Sequence, residues 1–336
     1  MTLDGVGVHS GQLASPVGIR CEDVYGTRDA SNTIFDVVID DGFIASDQQR
    51  ISIGGLRDSR ATRGWEKIFE YYPGRLSGRL ANAAILAFAT GLSGVAGGPT
   101  TYTHTIKPIR QTVGESDIFM KSYTVEGRYK KPDGTTDKTV TALGATCRDF
   151  AMNFDLDSGL VTYVLNFMAK GLGSTATVAA EETDTEFTKA NTKVLIESNA
   201  TSYSSGDQVY GLNSMGWRLN HNFGDPKRGA EFNSTTMDRQ MAPGTLIEAL
   251  TGNLTRKYID TDLSEITQPF STQIEHVRTA STDEIKVQLN NCVFSSPVQR
   301  GQWTKQKDIE DLAIDFKFAE LVIVGKNDVV TYSGAE

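Results

Sequence analysis

A chain of 336 residues with 39% hydrophobic side chains has enough apolar surface for two domains, each with its own core. Its net charge of -9 and sequence pI of about 5.1 exclude the broad Lys/Arg surface with which a tight nucleic-acid binder displaces counterions, although a surface that lets DNA slide past should be neutral or acidic. No run reaches the roughly 18 apolar residues of a membrane-spanning helix, and the opening MTLDGVGVHSG lacks the basic and apolar regions of a secretory signal.

Residues 1–30 mix Gly, Ser and charge with little periodicity and predict an N-terminal arm. Strand signals begin at NTIFDVVID (32–40) and return near RISIGG. WEKIFEYYPG (65–74) predicts a strand that stops at Pro73-Gly74. Residues 79–92 predict a helix, with Leu80, Ala83, Ala84, Ala87 and Phe88 on one face and Gly91 and Gly94 ending it. GLSGVAGGPTT (91–101) predicts a flexible joint. YTHTIKPI and DIFMKSYTVEGRYK are strand-like, and KKPDGTTDK carries Pro-Asp-Gly turn chemistry.

The clearest pattern is GATCRDFAMNFDLDSGLVTYVLNFMAKG (144–171). It alternates with the period of two that a half-buried strand requires. Phe150, Met152 and Phe154 share one face, as do Val161, Tyr163, Leu165 and Phe167, with DLDSG as a hairpin turn. The small, acidic stretch 176–192 predicts a linker, which divides the chain into a first β domain (31–175) and a second (193–336). In the second, SMGWRLNHNF (214–223) and LTGNLTRKYID (250–260) are expected to pair and to repeat the 144–171 block. Residues 225–245 predict a long loop. LSEITQPFSTQIEHV (263–277) starts like a short helix and is interrupted at Pro269. IKVQLNNCVF and IEDLAIDFKFAELVIVG predict closing strands.

Reactive groups are scattered. Cys21, Cys147 and Cys292 cannot all pair, form no CxxC, and are expected to act as small buried hydrophobes in a reducing cytoplasm. Asp155-Leu-Asp157-Ser-Gly159 opens like a calcium loop but lacks the later ligands, so a turn is expected. His9, His104, His221 and His276 have no nucleophile motif beside them and fit core or interface positions. RDSRATRGWEK (57–67), the densest basic run, is expected to be a solvated loop or an intersubunit salt-bridge surface. These residues predict no catalytic centre, cofactor or metal site.

The order of segments resembles the tail tube (major tail) proteins of long-tailed phages, of the two-domain type. The carrying segments in the first half are WEKIFEYYPGRLSGRLANAAILAFATG, the glycine joint with YTHT, and GATCRDFAMNFDLDSGLVTYVLNFMAKG. In the second half they are WRLNHNF, APGTLIEALTGNLTRKYID, IKVQLNNCVFSSPVQRG and IEDLAIDFKFAELVIVGKNDVV. The long 225–245 loop and the interrupted 263–277 segment depart from the family pattern.

The resemblance implies a mostly β fold with minor α: two tandem β-sandwich or split-barrel domains, each giving strands to a ring-shaped inner barrel. Three chains would then close a pseudo-sixfold ring, and rings would stack into a hollow virion tail tube that passes double-stranded DNA without binding it specifically. It implies partners among tape-measure and tip proteins, no membrane anchoring, and synthesis in the host cytoplasm. Candidate lumen-facing residues are Asp149, Asn153, Asp155, Thr162, Asn166, Arg218, Asn220, Asn222, Asn253 and Thr255. Alternatives are a tail-tip, terminator or baseplate hub protein of the same fold, or a carbohydrate-binding module with Trp65, Trp217 and Trp303 exposed.

Overall fold

The computed structural model describes residues 17–52, 65–91, 93–97, 101–109, 119–130, 137–155, 158–173, 185–198, 203–204, 208–209, 212–230, 234–237, 239–240, 251–257, 268–278, 283–295 and 311–327. Its elements, in chain order, are β1 (Val17–Cys21), β2 (Phe35–Val37), β3 (Ile39–Ile44), β4 (Asp47–Ser52), β5 (Trp65–Arg79), α1 (Ala84–Thr90), β6 (Ser93–Gly97), β7 (Tyr102–Ile106), β8 (Tyr123–Lys130), β9 (Asp137–Asp155) and β10 (Val161–Ala169). There follow β11 (Gly171–Gly173), β12 (Thr192–Ser198), β13 (Leu212–Asn220), β14 (Thr251–Lys257), β15 (Phe270–Val277), β16 (Glu284–Phe294), β17 (Asp311–Lys317) and β18 (Glu320–Asn327). The fold is mostly β, with every ladder between these strands antiparallel. Among the described residues the strands do not close into a barrel within one chain.

One long sheet runs β3-β5-β10-β9-β13-β14-β17 and ends on the tip of β16. Two further sheets run β2-β1-β8-β9-β11 and β12-β15-β16-β18-β7-β6. Strands β9 and β16 are long enough to belong to both kinds of sheet. The alternation in the sequence explains the layering: Phe150, Met152, Val161, Tyr163, Leu165, Phe167, Trp217, Leu219 and Phe316 are all buried in one core with α1. Burying each such side chain stabilises by about 1.5–3 kcal/mol relative to leaving it in water.

Helix α1 is buried along its whole length. Asn82 Oδ1 accepts from Ala84 N at 3.0 Å at its start, and Gly91, at φ 79°, ends it by donating N–H to Ala87 O. The loop after β1 is fixed by two buried carboxylates. Glu22 accepts from Gly26 N, Ser122 Oγ, Thr124 Oγ1 and Gly144 N. Fully buried Glu126 holds Arg28 at 2.6 Å, with Arg20 Nε at 3.8 Å.

Pairing in the first half recurs in the second. Between β8 and β9 the register runs Tyr123↔Ala145, slips, then continues from Val125↔Ala142 to Lys130↔Asp137. Between β15 and β16 it runs Phe270↔Cys292, slips, then continues from Thr272↔Leu289 to Val277↔Glu284. Each partner lies 147 residues further on, and so does the bulge residue with positive φ, Gly144 at 66° and Asn291 at 55°. The correspondence extends outward: β1 on β8 matches β12 on β15, and β11 on β9 matches β18 on β16. Phe167↔Gly74 matches Phe316↔Gly252. The bulge between Ile39 and Asp41 matches that between Leu212 and Ser214.

Several expectations from the sequence change. The 144–171 block is repeated not by 214–260 but by β16 and β17; β13 and β14 repeat β3 and β5. Val17–Cys21, expected in an arm, is a buried strand between β2 and β8. β5 does not stop at Pro73-Gly74 but continues to Arg79: the Pro73 carbonyl accepts from Ala45 N at 2.8 Å, so proline costs the ladder only one donor. The helix is shorter than residues 79–92 because Arg79 still pairs with Thr162. Part of the expected glycine joint is β6, pairing with β7. At the end of the expected linker, Phe187 is buried and exchanges backbone bonds with Leu80 and Val161. In the 263–277 segment, Phe270–Val277 is strand because it is held between β12 and β16.

Candidate assembly surface

The long sheet has one apolar face and one polar face. Register aligns positions in rows across the strands: Arg79–Thr162–Asn153–Gly216–Asn253–Asp315, then Ser77–Val164–Ala151–Arg218, then Arg75–Asn166–Asp149–Asn220. Six of the candidate lumen-facing residues, Asp149, Asn153, Thr162, Asn166, Arg218 and Asn220, therefore share this face, opposite Phe150 and Met152. Asp155 pairs with Ser214, and Thr255 with Ser214 and Ala313, in the next row. Asn253 and Thr255 belong to β14, in which Gly252 lies under the Phe316 ring. Asn222 is not part of the face: it follows the end of β13, exposed, with φ 46°.

Two arginines on this face are paired with carboxylates. The Arg218 guanidinium forks onto Asp149, at 2.8 Å and 2.6 Å, and this hydrogen bonding, followed by the carboxylate charge, holds its pKa above the usual value. Arg79 reaches Asp40 at 3.0 Å and Glu186 at 3.3 Å. Sequence alternation placed Asp149 on this face but gave no sign of its partner, because the pair spans 69 residues. It also missed Arg75, Arg79, Asp315 and Lys317, which the register brings to the same surface.

Two four-strand groups of the long sheet, β3-β5-β10-β9 and β13-β14-β17-β16, meet where β9 pairs with β13, from Asp155↔Ser214 to Asp149↔Asn220. Arg218 and Asp149 straddle this junction.

The other candidates are internal. His104, His221 and His276 are buried, as expected of core histidines; His9 lies outside the described residues, as does nearly all of the 57–67 run. His221 Nε2 lies 2.6 Å from Ala89 O, and burial depresses its pKa to about 4. Burial likewise takes His276, hydrogen-bonded to Thr192 Oγ1, down to about 3. Cys21, Cys147 and Cys292 are buried free thiols; burial pushes Cys21 and Cys292 up to about 12, a state in which they do not act as nucleophiles near neutrality. Among the described residues no three His, Cys, Asp or Glu side chains are grouped to hold a metal ion, and no helix is long and apolar enough to cross a membrane. No protein-family model matches the chain, and no curated protein matches it.

Proposed function

We propose that this chain is a structural protein of a phage tail, the subunit of the tail tube. Each chain supplies two equivalent β domains to a ring, three chains complete a pseudo-sixfold ring, and stacked rings enclose a channel for DNA. The observation that carries the reading is the recurrence of strand pairing, bulge for bulge, in two four-strand groups that are already joined edge to edge. A unit that joins its own duplicate through a sheet edge has the geometry to go on joining copies, and closing the ring removes the exposed edges.

The polar face of the long sheet is the proposed channel wall. DNA carries about one negative charge per 1.7 Å of its axis, so unpaired arginines would retard it. Two of the cations on this face, Arg218 and Arg79, are held by carboxylates. In this reading the protein resides in the virion tail and contacts tape-measure and tip proteins.

Negative-stain electron microscopy of the purified chain, alone and seeded with tail-derived tubes, tests the reading. Rings or tubes are expected; a chain that stays monomeric and fails to join tubes contradicts it. A tail-tip, terminator or hub role on the same fold differs in copy number, which densitometry of virion proteins measures. Of the three tryptophans that the carbohydrate-binding alternative needs exposed, Trp65 is 64% exposed, Trp217 is only 2% exposed, and Trp303 lies outside the described residues.

A further inference from the structure

The two halves of the chain exchange segments. The β6–β7 hairpin stands between α1 and β8 in the sequence, yet β7 is laddered onto β18 of the second half, from Ile323↔Ile106 to Asn327↔Tyr102. His104 Nε2 lies 3.1 Å from Asn327 Oδ1, and both residues are buried. A first-half hairpin thus completes the second-half sheet.

The return crossing follows β13. A carbonyl only accepts, so His221 Nε2 carries the proton that it donates to Ala89 O at 2.6 Å. Further along, Thr235 O accepts from Glu70 N at 2.7 Å, Met237 is fully buried, and Gln240 Nε2 donates to Met120 O. At the end of β15, Arg278 pairs with Asp283 of its own hairpin at 2.6 Å and donates to Ala81 O and Thr185 O. Its guanidinium lies 4.6 Å from the centre of the Phe187 ring, and Phe187 N donates to Leu80 O.

Helix α1 is where these crossings meet. Its 7 residues are too few to hold a helix alone in water, and every one of them is buried. Arg278 holds the Ala81 carbonyl ahead of it. Beside its start, a Cβ on Gly325 of β18 would stand 3.3 Å from Ala83 Cβ. At its end, His221 takes the Ala89 carbonyl, one of the last-turn oxygens that have no partner inside a helix. All of these contacts come from the second half. Without them α1 would expose Ile85, Leu86 and Phe88 and orphan a carbonyl; without β7, β18 would lose a ladder. The buried apolar side chains of both halves belong to one core.

We propose that the exchanged segments clasp the two halves into one cooperative unit centred on α1, so that neither half opens while the other stays folded. Domains of one chain fold as units and move relative to one another by default; the clasp removes that freedom. This property belongs to the single chain and goes beyond the assembly reading. Under that reading the clasp sets the angle between the two ring units before chains meet, which lowers the ordering cost of association.

Native-state hydrogen exchange across a urea series, read by mass spectrometry on the dilute chain, tests the clasp without assembly. Amides of β9 and β10 in the first half and of β15 and β16 in the second are expected to merge into one unfolding isotherm. Separate isotherms, with one half fully exchanged while the other is protected, overturn the clasp and leave the assembly reading untouched. Arg278→Ala adds direction: exchange is expected to speed by at least about tenfold over 84–91, in the other half, as well as over 270–277. Faster exchange confined to 270–294, with 84–91 unchanged, also overturns the proposal. If this variant does not fold, the isotherms of the parent chain decide.

Discussion

The ring of Phe167 lies directly on the backbone of Gly74, so close that a Cβ on the glycine would stand 2.1 Å from ring Cζ. The same relationship recurs between Phe316 and Gly252, at 2.2 Å. A glycine in mid-strand weakens a sheet unless something needs the space; in both halves an aromatic ring on the adjacent strand takes it. Gly74→Ala and Gly252→Ala are therefore each expected to destabilise by about 1–3 kcal/mol through overpacking, measured by urea unfolding. Neutral effects at both sites would contradict the packing.

Acid should weaken the fold in two stages. His221 and His276 are depressed by burial to about 4 and about 3, below the ordinary value of about 6.5. The unfolded chain therefore binds protons first as pH falls. Their contribution is complete above about pH 6.5 and is lost as pH falls towards the folded values, by an amount on the order of a few kcal/mol. Glu70 is held down to about 2, chiefly by its hydrogen bond from Lys67 and then from Ser46, so its contribution is lost only below about pH 4.5. A urea midpoint that falls between pH 7 and pH 5, and falls less in His276→Gln, is the expected result. A flat midpoint over that range would be inconsistent with neutral buried imidazoles.

Glu126→Gln should be costly. It leaves Arg20 and Arg28 facing an uncharged amide in a fully buried position, and breaking a buried pair from one side costs about 3–5 kcal/mol. The counterpart position tolerates an amide because Gln273 has neutral and anionic neighbours instead, Gln288 and Glu275. Thermal unfolding of the two single variants Glu126→Gln and Gln273→Glu measures the asymmetry.

The Arg218–Asp149 pair is expected to contribute little to stability, since Arg218 is 54% exposed. A double-mutant cycle should give under about 1 kcal/mol, falling with added salt. A coupling of several kcal/mol would mean that this exposed pair is the clamp of the junction.

The sequence made the β9–β10 hairpin legible down to its faces, because Phe150, Met152, Phe154 and Val161, Tyr163, Leu165, Phe167 alternate without interruption and one side of the pair is buried. The duplication was legible as an idea but not in its alignment. A shared alternation drew two unrelated segments together, while the true counterparts share few side chains, among them Phe167 with Phe316, Gly74 with Gly252 and Val140 with Val287. What the halves share is backbone: a slip after the first pair and a left-handed bulge residue, which glycine satisfies at 144 and asparagine at 291. Pro73 misled for a similar reason. Proline ends a strand that needs its N–H, and here the neighbouring strand needs only its carbonyl. The polar face was partly legible from alternation, whereas its charge balance was not, because Asp149 and Arg218 meet only through the β9·β13 register.

The central claim is that one chain carries two equivalent ring units. Native mass spectrometry of rings released from assembled material tests it most directly by counting chains. The account predicts three chains in each ring; rings of six chains, or a protein that remains a single chain at every concentration, would contradict it.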